Sequence, residues 1–561
     1  MRDPRYNHVL ASTALALILA IPLGSRAEAP KLAAAPVLVA ATEPAQPQAA
    51  PAEATPATPA AEPATVPAAA PADTASAPQQ AADPLASLDP ADRAVAEKIR
   101  DLLATRAEVL FPGKKERAAA TAFYESRNLA PLWLDKGIEN ARAVSVIARL
   151  RAAETDGLDP RDYKTPNFAG LGADALAEAE LRLTQSVLTF ARHLQAGRFH
   201  YTRVSRNIEL PQQPPEPADI LSTVAGAADA GNALEAFSPR HEPYRRLKEA
   251  LAQLRAKAGP GKGDVSRQIE TVIANMERWR WYPRDLGEAH VLVNQPDFTL
   301  KVMHNGAQVW TTRIVIGKPS MPTPLLSETM KYITVNPTWH VPPSIVHNEY
   351  LPALAQDPTV LDRMGLRVSY SGGSVQITQP PGDGNALGRV RFNFPNRFSV
   401  YQHDTPDKYM FAHEVRAYSH GCMRVQDPPK YAEVLLAIAR PQEHWSAARI
   451  RSLFGRSEQD IQLQPVPIWV HLTYQTAFVD DAGKLQLRRD IYNLDGRTLA
   501  AIKSQRGTLE PAPERKREPE MASRSAPVSP ARPAPRAVTN IQSLFYAPPA
   551  YGRPLPAPIY R

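Results

Sequence analysis

Apolar residues recur at three- and four-residue spacing in five segments: Ala91 to Ala107, Lys115 to Asn128, Ile138 to Glu154, Ala173 to Gln195 and Tyr244 to Ala258. Each is rich in Ala, Leu, Arg and Glu, so each is expected to be helical. From Ala289 onward the period falls to two. Ala289 to Val293, Phe298 to Met303, Val309 to Ile316, Lys331 to Val335, Leu366 to Tyr370, Val375 to Thr378, Arg389 to Phe394, Ser399 to Gln402 and Ile468 to Tyr474 read as strands, with Asn305-Gly306 as a hairpin turn. Between the two textures, Val265, Ile269, Val272, Ile273 and Met276 form one face of a connecting helix that docks the halves together. The expected fold class is therefore multidomain α+β. A mainly helical domain over residues 91–263 precedes a β-rich domain over 264–500, with the connecting helix at 264–281 and an insertion at about 342–388 interrupting the strands.

Composition adds the flanks. The 57 prolines are unevenly placed. Arg2 and Arg5, the apolar run Val9 to Leu23 and Ala27-Glu28-Ala29 have the three regions of an export signal cleaved after Ala29, although an uncleaved run would leave the protein tethered to the membrane. Residues 30–90 are an Ala/Pro-rich tract with too little apolar area to order itself, read as a spacer. From Lys503 to the end there are ten Lys/Arg against four Glu, so residues 501–561, a Pro-rich disordered tail, carry +6 of the chain's net +8. The folded part is nearly neutral, which argues against a nucleic-acid groove. The tail is expected to touch anionic wall polymer or membrane lipid, or to be simply solvated.

The chemistry centres on one residue. Cys422 is the chain's single cysteine, in the run Ser419-His420-Gly421-Cys422-Met423-Arg424, and His403 lies nineteen positions upstream. A lone cysteine is most often a small buried hydrophobe. Here a tight Ser-His-Gly turn would aim backbone N–H groups at one point, as an oxyanion requires, and an imidazole in contact would activate the thiol. Asp427-Pro428 then reads as a cap opening the helix Pro429 to Ala439, which places the thiol on a rigid strand-to-helix connection. Export without a second cysteine leaves the thiol no internal disulfide partner.

These residues resemble the YkuD-type L,D-transpeptidases, whose signature is a His followed by Ser/Thr-His-Gly-Cys-x-Arg. Asn275 to Pro283 (NMERWRWYP), Asn336-Pro337-Thr338-Trp339, Pro380 to Gly388 and Tyr401 to Pro406 are similar to the large periplasmic subfamily with a helical scaffold domain. The likeness covers roughly residues 95 to 500. One departure is that the chain passes from Ala258 to Asp264 through five residues, without the separate peptidoglycan-binding module that many large members carry.

The resemblance implies a periplasmic enzyme of peptidoglycan synthesis and cell shape. Its Cys422 would attack a tetrapeptide stem with His403 as base and the amides near Gly421 and Cys422 holding the oxyanion; a second stem would capture the thioester to give a 3-3 cross-link. His420 and Ser419 would shape the loop, and Arg424 would either hold a carboxylate or brace the turn. The insertion would cap the cleft, with Trp339, Asn385 and Tyr401 lining it for substrate or serving as structure. Carbapenem β-lactams would acylate the same thiol. The alternatives are an L,D-carboxypeptidase or protein-to-peptidoglycan tethering through the same thioester, or a non-catalytic wall-binding scaffold. No cofactor and no metal are expected: His340 and His347 are seven apart across two prolines, with no ligand spacing beside them.

Overall fold

In the computed structural model, which describes residues 85–259, 263–371 and 374–504, the helical half is built much as its periodicity implies. Its helices are Pro90–Leu110, Lys114–Ser126, Ala141–Arg151, Ala173–Ala196, Pro217–Gly226 and Glu242–Lys257, with one short turn of helix at Ala230–Ala233. The export segment, the spacer to residue 84, Pro260 to Lys262 and the tail beyond residue 504 lie outside the described residues.

Three boundaries differ from expectation for local reasons. Ordered chain begins before residue 91, because Leu85 is buried and the Asp89 carboxylate accepts from Ala91 N at the start of the first helix. The third helix starts at Ala141 instead of Ile138. Lys136 and Gly137 adopt positive φ and turn a small hairpin, Leu134–Asp135 with Ile138–Glu139, after which Asn140 caps the helix by accepting from Ala143 N at 3.0 Å. Pro217–Gly226 was hidden in a proline-rich stretch, yet proline at a first helical position is well tolerated.

Two cores result. Val95, Trp133, Ile147, Leu181 and Phe190 belong to the helical one. Tyr244, Leu247 and Leu251, from the last scaffold helix, pack instead with Val272, Met276, Trp279 and Trp281 and with the sheet. The connecting helix, Gly263–Trp279, therefore buries its apolar stripe against the β-domain as its pattern requires.

Among the described residues the main sheet has twelve strands. Across it run Gln459–Gln462, Tyr332–Val335, Val390–Asn393, Gln402–His403, Met423–Val425, Ala307–Gly317, Thr299–His304, Ala289–Asn294, Ile468–Thr473, Leu325–Met330 and finally Ile208–Glu209; Ala417–Ser419 adds to the side of Ala307–Gly317. The last strand in that order comes from the helical half, which thus supplies an edge to the sheet. Asn305 and Gly306, both at positive φ, close the expected hairpin. The strands Arg367–Ser371 and Ser374–Gln379, inside the expected 342–388 insertion, pair with Trp339–His340 in a separate three-stranded sheet. With the helical turns between Pro343 and Arg363 they form the insertion, which has its own small core of Val346, Tyr350, Leu361 and Ile377.

The joint between the halves is polar and buried. Arg280 bonds Glu277 at 2.8 Å, the Asp156 carbonyl at 2.5 Å and the Tyr244 hydroxyl at 3.0 Å. The other oxygen of Glu277 accepts from Arg198 N at 2.7 Å. Arg278, fully buried, bonds the Tyr474 carbonyl, Asn275 and Asp495. A buried pair contributes little net stability against an apolar replacement, but breaking one half strands the other charge. Glu277→Ala is therefore expected to lower unfolding stability by about 3–5 kcal/mol, read from the urea midpoint of the first unfolding transition. A change below about 1 kcal/mol would show that Arg280 is not held by this pair.

Candidate active site

Strand register gathers the candidate residues. Gln402–His403 runs parallel to Met423–Val425, with Gln402 opposite Met423 and His403 opposite Arg424. On its other side it pairs antiparallel with Val390–Asn393, placing Arg391 opposite His403. Side chains alternate along a strand, so Arg391, His403 and Arg424 form a row on one face, and Tyr401 and Cys422 lie on that face one step away. The opposite face is packed: Gln402 accepts from the Tyr431 hydroxyl at 2.7 Å, Phe392 lies 4.4 Å from the Tyr431 ring, and Met423 is buried. Tyr431 belongs to the helix Pro428–Ala439, capped by Asp427 accepting from Lys430 N.

The loop before the cysteine is locked by its own atoms. Ser419 Oγ donates to the Cys422 carbonyl at 2.5 Å and accepts from Gly421 N at 3.2 Å. Gly421 has φ +115°, a conformation that a side chain would strain, and its carbonyl accepts from Thr323 Oγ1 at 2.8 Å. The Gly421 amide, expected to hold an oxyanion, is thus engaged by Ser419. The Cys422 amide has no partner among the described residues and remains as the donor at the thiol.

Charge at the site differs from the expected activated pair. Burial pushes the Cys422 thiol up to about 11, against hydrogen bonds from the Tyr401 amide and hydroxyl and the nearby Arg424 and Arg391. Burial, then Arg424, pushes His403 down to about 3, with the Asp404 and Leu387 carbonyls opposing and Arg391 adding to the shift. The resting pair is therefore neutral thiol and neutral imidazole. His403 Nδ1 lies 2.5 Å from the Asp404 carbonyl, which can only accept, so Nδ1 carries the proton and Nε2 is the basic nitrogen. No hydrogen bond joins Cys422 to His403 among the described residues. Tyr401 sits between these roles, its phenol against the sulfur and its ring 5.7 Å from the imidazole.

The remaining candidates separate cleanly. Arg424 is buried and donates to Asp407 at 3.3 Å, which favours bracing over carboxylate capture. His420 Nε2 lies 2.6 Å from Glu349 Oε1, fastening the insertion to the cysteine loop, with Lys318 Nζ at 3.3 Å. Trp339 meets both sides, 6.3 Å from Tyr350 of the insertion and hydrogen-bonded to Tyr401. Asn385, expected at the cleft, is a brace. It is 1% exposed, and its amide donates to the Pro337, Gln379 and Pro380 carbonyls while its oxygen accepts from Leu387 N, leaving no donor for a ligand. Arg391 was missed by motif reading; only its alternation within Arg389 to Phe394 and the register beside His403 could have exposed it.

Comparison with known proteins bears on this constellation. Residues 288–442 match the L,D-transpeptidase catalytic domain (YkuD), and residues 118–251 match the scaffold domain. The β-rich half therefore carries an L,D-transpeptidase catalytic domain. The catalytic match spans His403, Cys422 and the whole insertion. A Haemophilus influenzae protein named "Putative L,D-transpeptidase" is 24% identical over 399 residues, covering 66% of this chain and 77% of that protein. Among solved structures, an L,D-transpeptidase from Mycobacterium smegmatis shares 13% identity, covering 33% of this chain and 59% of that one, at a TM-score of 0.17. L,D-transpeptidase 3 from Mycobacterium tuberculosis, in complex with a faropenem-derived adduct, shares 12% over 33% and 60%, also at 0.17. At such scores the overlays carry no argument, and the strand order above stands by itself.

A neutral resting pair at this site has a direct consequence. The thiolate fraction should climb about tenfold per pH unit from 7 to 10, since that range lies below the thiol's value. Alkylation of Cys422 by iodoacetamide, followed by intact mass, should rise in step. A rate already flat above pH 7 would indicate a preformed thiolate–imidazolium pair.

Proposed function

We propose that the protein is a peptidoglycan L,D-transpeptidase that forms 3-3 cross-links through a thioester on Cys422. The observation that carries this reading is the chain's one thiol, set beside an unpaired amide in a Ser-His-Gly turn, with His403 on the same face of the sheet. As Cys422 Sγ bonds the carbonyl carbon of the third stem residue, a meso-diaminopimelate, its proton passes to Nε2 of His403. The oxyanion forms at the Cys422 amide. The carbon–nitrogen bond to the terminal D-Ala breaks, and His403 returns the proton to the leaving amine.

A side-chain amine of a second stem then attacks the thioester. Its proton goes to His403, the sulfur–carbon bond breaks, and the proton restores the thiol. Because the resting groups are neutral, proton transfer accompanies attack, and closure over the substrate brings Nε2 to the thiol; hydrogen bonds of this kind commonly tighten only when substrate is bound. Tyr401 steadies the sulfur meanwhile. The same thiol is expected to open carbapenem β-lactams and retain the acyl group.

In this reading the helical domain of residues 91–263 holds the catalytic domain of 264–500, residues 1–29 direct export, and the enzyme works in the periplasm. The insertion, fastened through Glu349 and His420, gates the cleft. Incubation of the purified protein with disaccharide tetrapeptide should yield a cross-linked dimer by mass spectrometry. Cys422→Ala should abolish it, and His403→Ala should slow it about 10²- to 10⁴-fold. Tripeptide without dimer would assign the thioester to water and make the enzyme a carboxypeptidase. Products persisting in Cys422→Ala would refute the cysteine mechanism.

A further inference from the structure

Four arginines stand around the row of site residues, and three have acidic partners. Arg389 pairs with Asp383, Arg397 with Glu209 at 2.7 Å and Arg424 with Asp407 at 3.3 Å. The fourth, Arg391, has no carboxylate and no side-chain hydrogen bond among the described residues, and its Nε is a buried polar atom without a partner. Its guanidinium lies 5.6 Å from the centre of the Tyr401 ring, on the face that carries Cys422 and His403. A half-buried cation left unpaired is costly unless something is to be bound there.

We propose that Arg391 binds the free α-carboxylate of the amino acid that leaves the donor stem. The assignment rests on the thioester reading above and extends it to recognition of the leaving group. Attack by Cys422 fixes the scissile carbon, and protonation by His403 fixes the leaving nitrogen. The carboxylate of that leaving residue is only two bonds beyond its nitrogen. Arg391 is the residue directly opposite His403 in an antiparallel pair, where Cα atoms are about 4.5–5.5 Å apart, so its fork reaches the adjacent space. The flat guanidinium over Tyr401 is held for bidentate contact.

Two consequences follow. A stem ending one residue past the scissile bond presents the carboxylate at this point; a longer stem or an amidated end does not. The bound carboxylate also cancels one of the two cations that hold His403 down, so the correct donor strengthens its own base.

The test compares a tetrapeptide stem ending in free D-Ala with the same stem ending in D-alaninamide, by titration calorimetry on the Cys422→Ala protein and by turnover on the wild type. A charge-assisted contact predicts tighter binding of the acid by about ten- to a hundredfold. In the Cys422→Ala background, Arg391→Gln should remove that preference and Arg391→Lys should keep part of it. The ratio of acid to amide does not depend on the fraction of protein folded, so it separates recognition from stability. Equal binding of acid and amide to Cys422→Ala, or an unchanged ratio in Arg391→Gln, overturns the proposal. Turnover that survives Cys422→Ala would sink the thioester reading instead, whatever the binding ratio.

Discussion

Everything chemical in this protein depends on the register of one short parallel pair, Gln402 against Met423 and His403 against Arg424. Side chains alternate between faces, so a slip of one residue would send His403 away from Cys422 and turn a polar ring into the packed face where Tyr431 now lies. The register is fixed from behind. Gln402, Phe392 and Met423 fill the packed face, and the Tyr431 hydroxyl reads Gln402 at 2.7 Å. Core packing on one face thereby specifies the chemistry on the other.

The same logic extends outward. The long strand Ala307–Gly317 borders Met423–Val425 on one side and Thr299–His304 on the other, so the cysteine strand is set against the whole sheet. That sheet is in turn clasped by the scaffold, through the edge strand Ile208–Glu209 and through Arg280, which reaches the Asp156 carbonyl and Tyr244, while Arg278 ties the connecting helix to the Tyr474 carbonyl. Arg397 adds a link to Glu209 from the loop carrying Ser399, whose carbonyl lies 4.0 Å from the thiol sulfur. The scaffold is therefore mechanically continuous with the site. The insertion differs, having its own core and meeting the cysteine loop through the bond from Glu349 to His420.

Local chemistry was legible in the sequence, and long-range pairing was not. The Ser-His-Gly-Cys turn, the Asp427 cap and the Asn305-Gly306 hairpin are properties of a few consecutive residues, and they stand where those residues imply. The helical stripe of the connecting segment was equally readable because its period is internal to it. By contrast, the pairing of Arg367–Ser371 and Ser374–Gln379, inside the expected insertion, with Trp339–His340 depends on which strand they meet, which alternation does not encode. Asn385 stood open between lining the cleft and serving as structure, because its three carbonyl acceptors lie on two separate stretches of chain. The electrostatic state was hidden for the same reason. A thiol and an imidazole suggest an ion pair, but burial raises the thiol against the pull of Arg424 and Arg391, and burial together with those two arginines lowers the imidazole.

The most direct test is to quench the enzyme with acid within its first turnovers on disaccharide tetrapeptide and map the protein by mass spectrometry. The account predicts one disaccharide-tripeptide acyl group on Cys422, with one D-Ala released per adduct and the label lost to hydroxylamine as a thioester should be. An acyl group on Ser419 or any other residue, or D-Ala released in bursts with Cys422 unmodified, would contradict it.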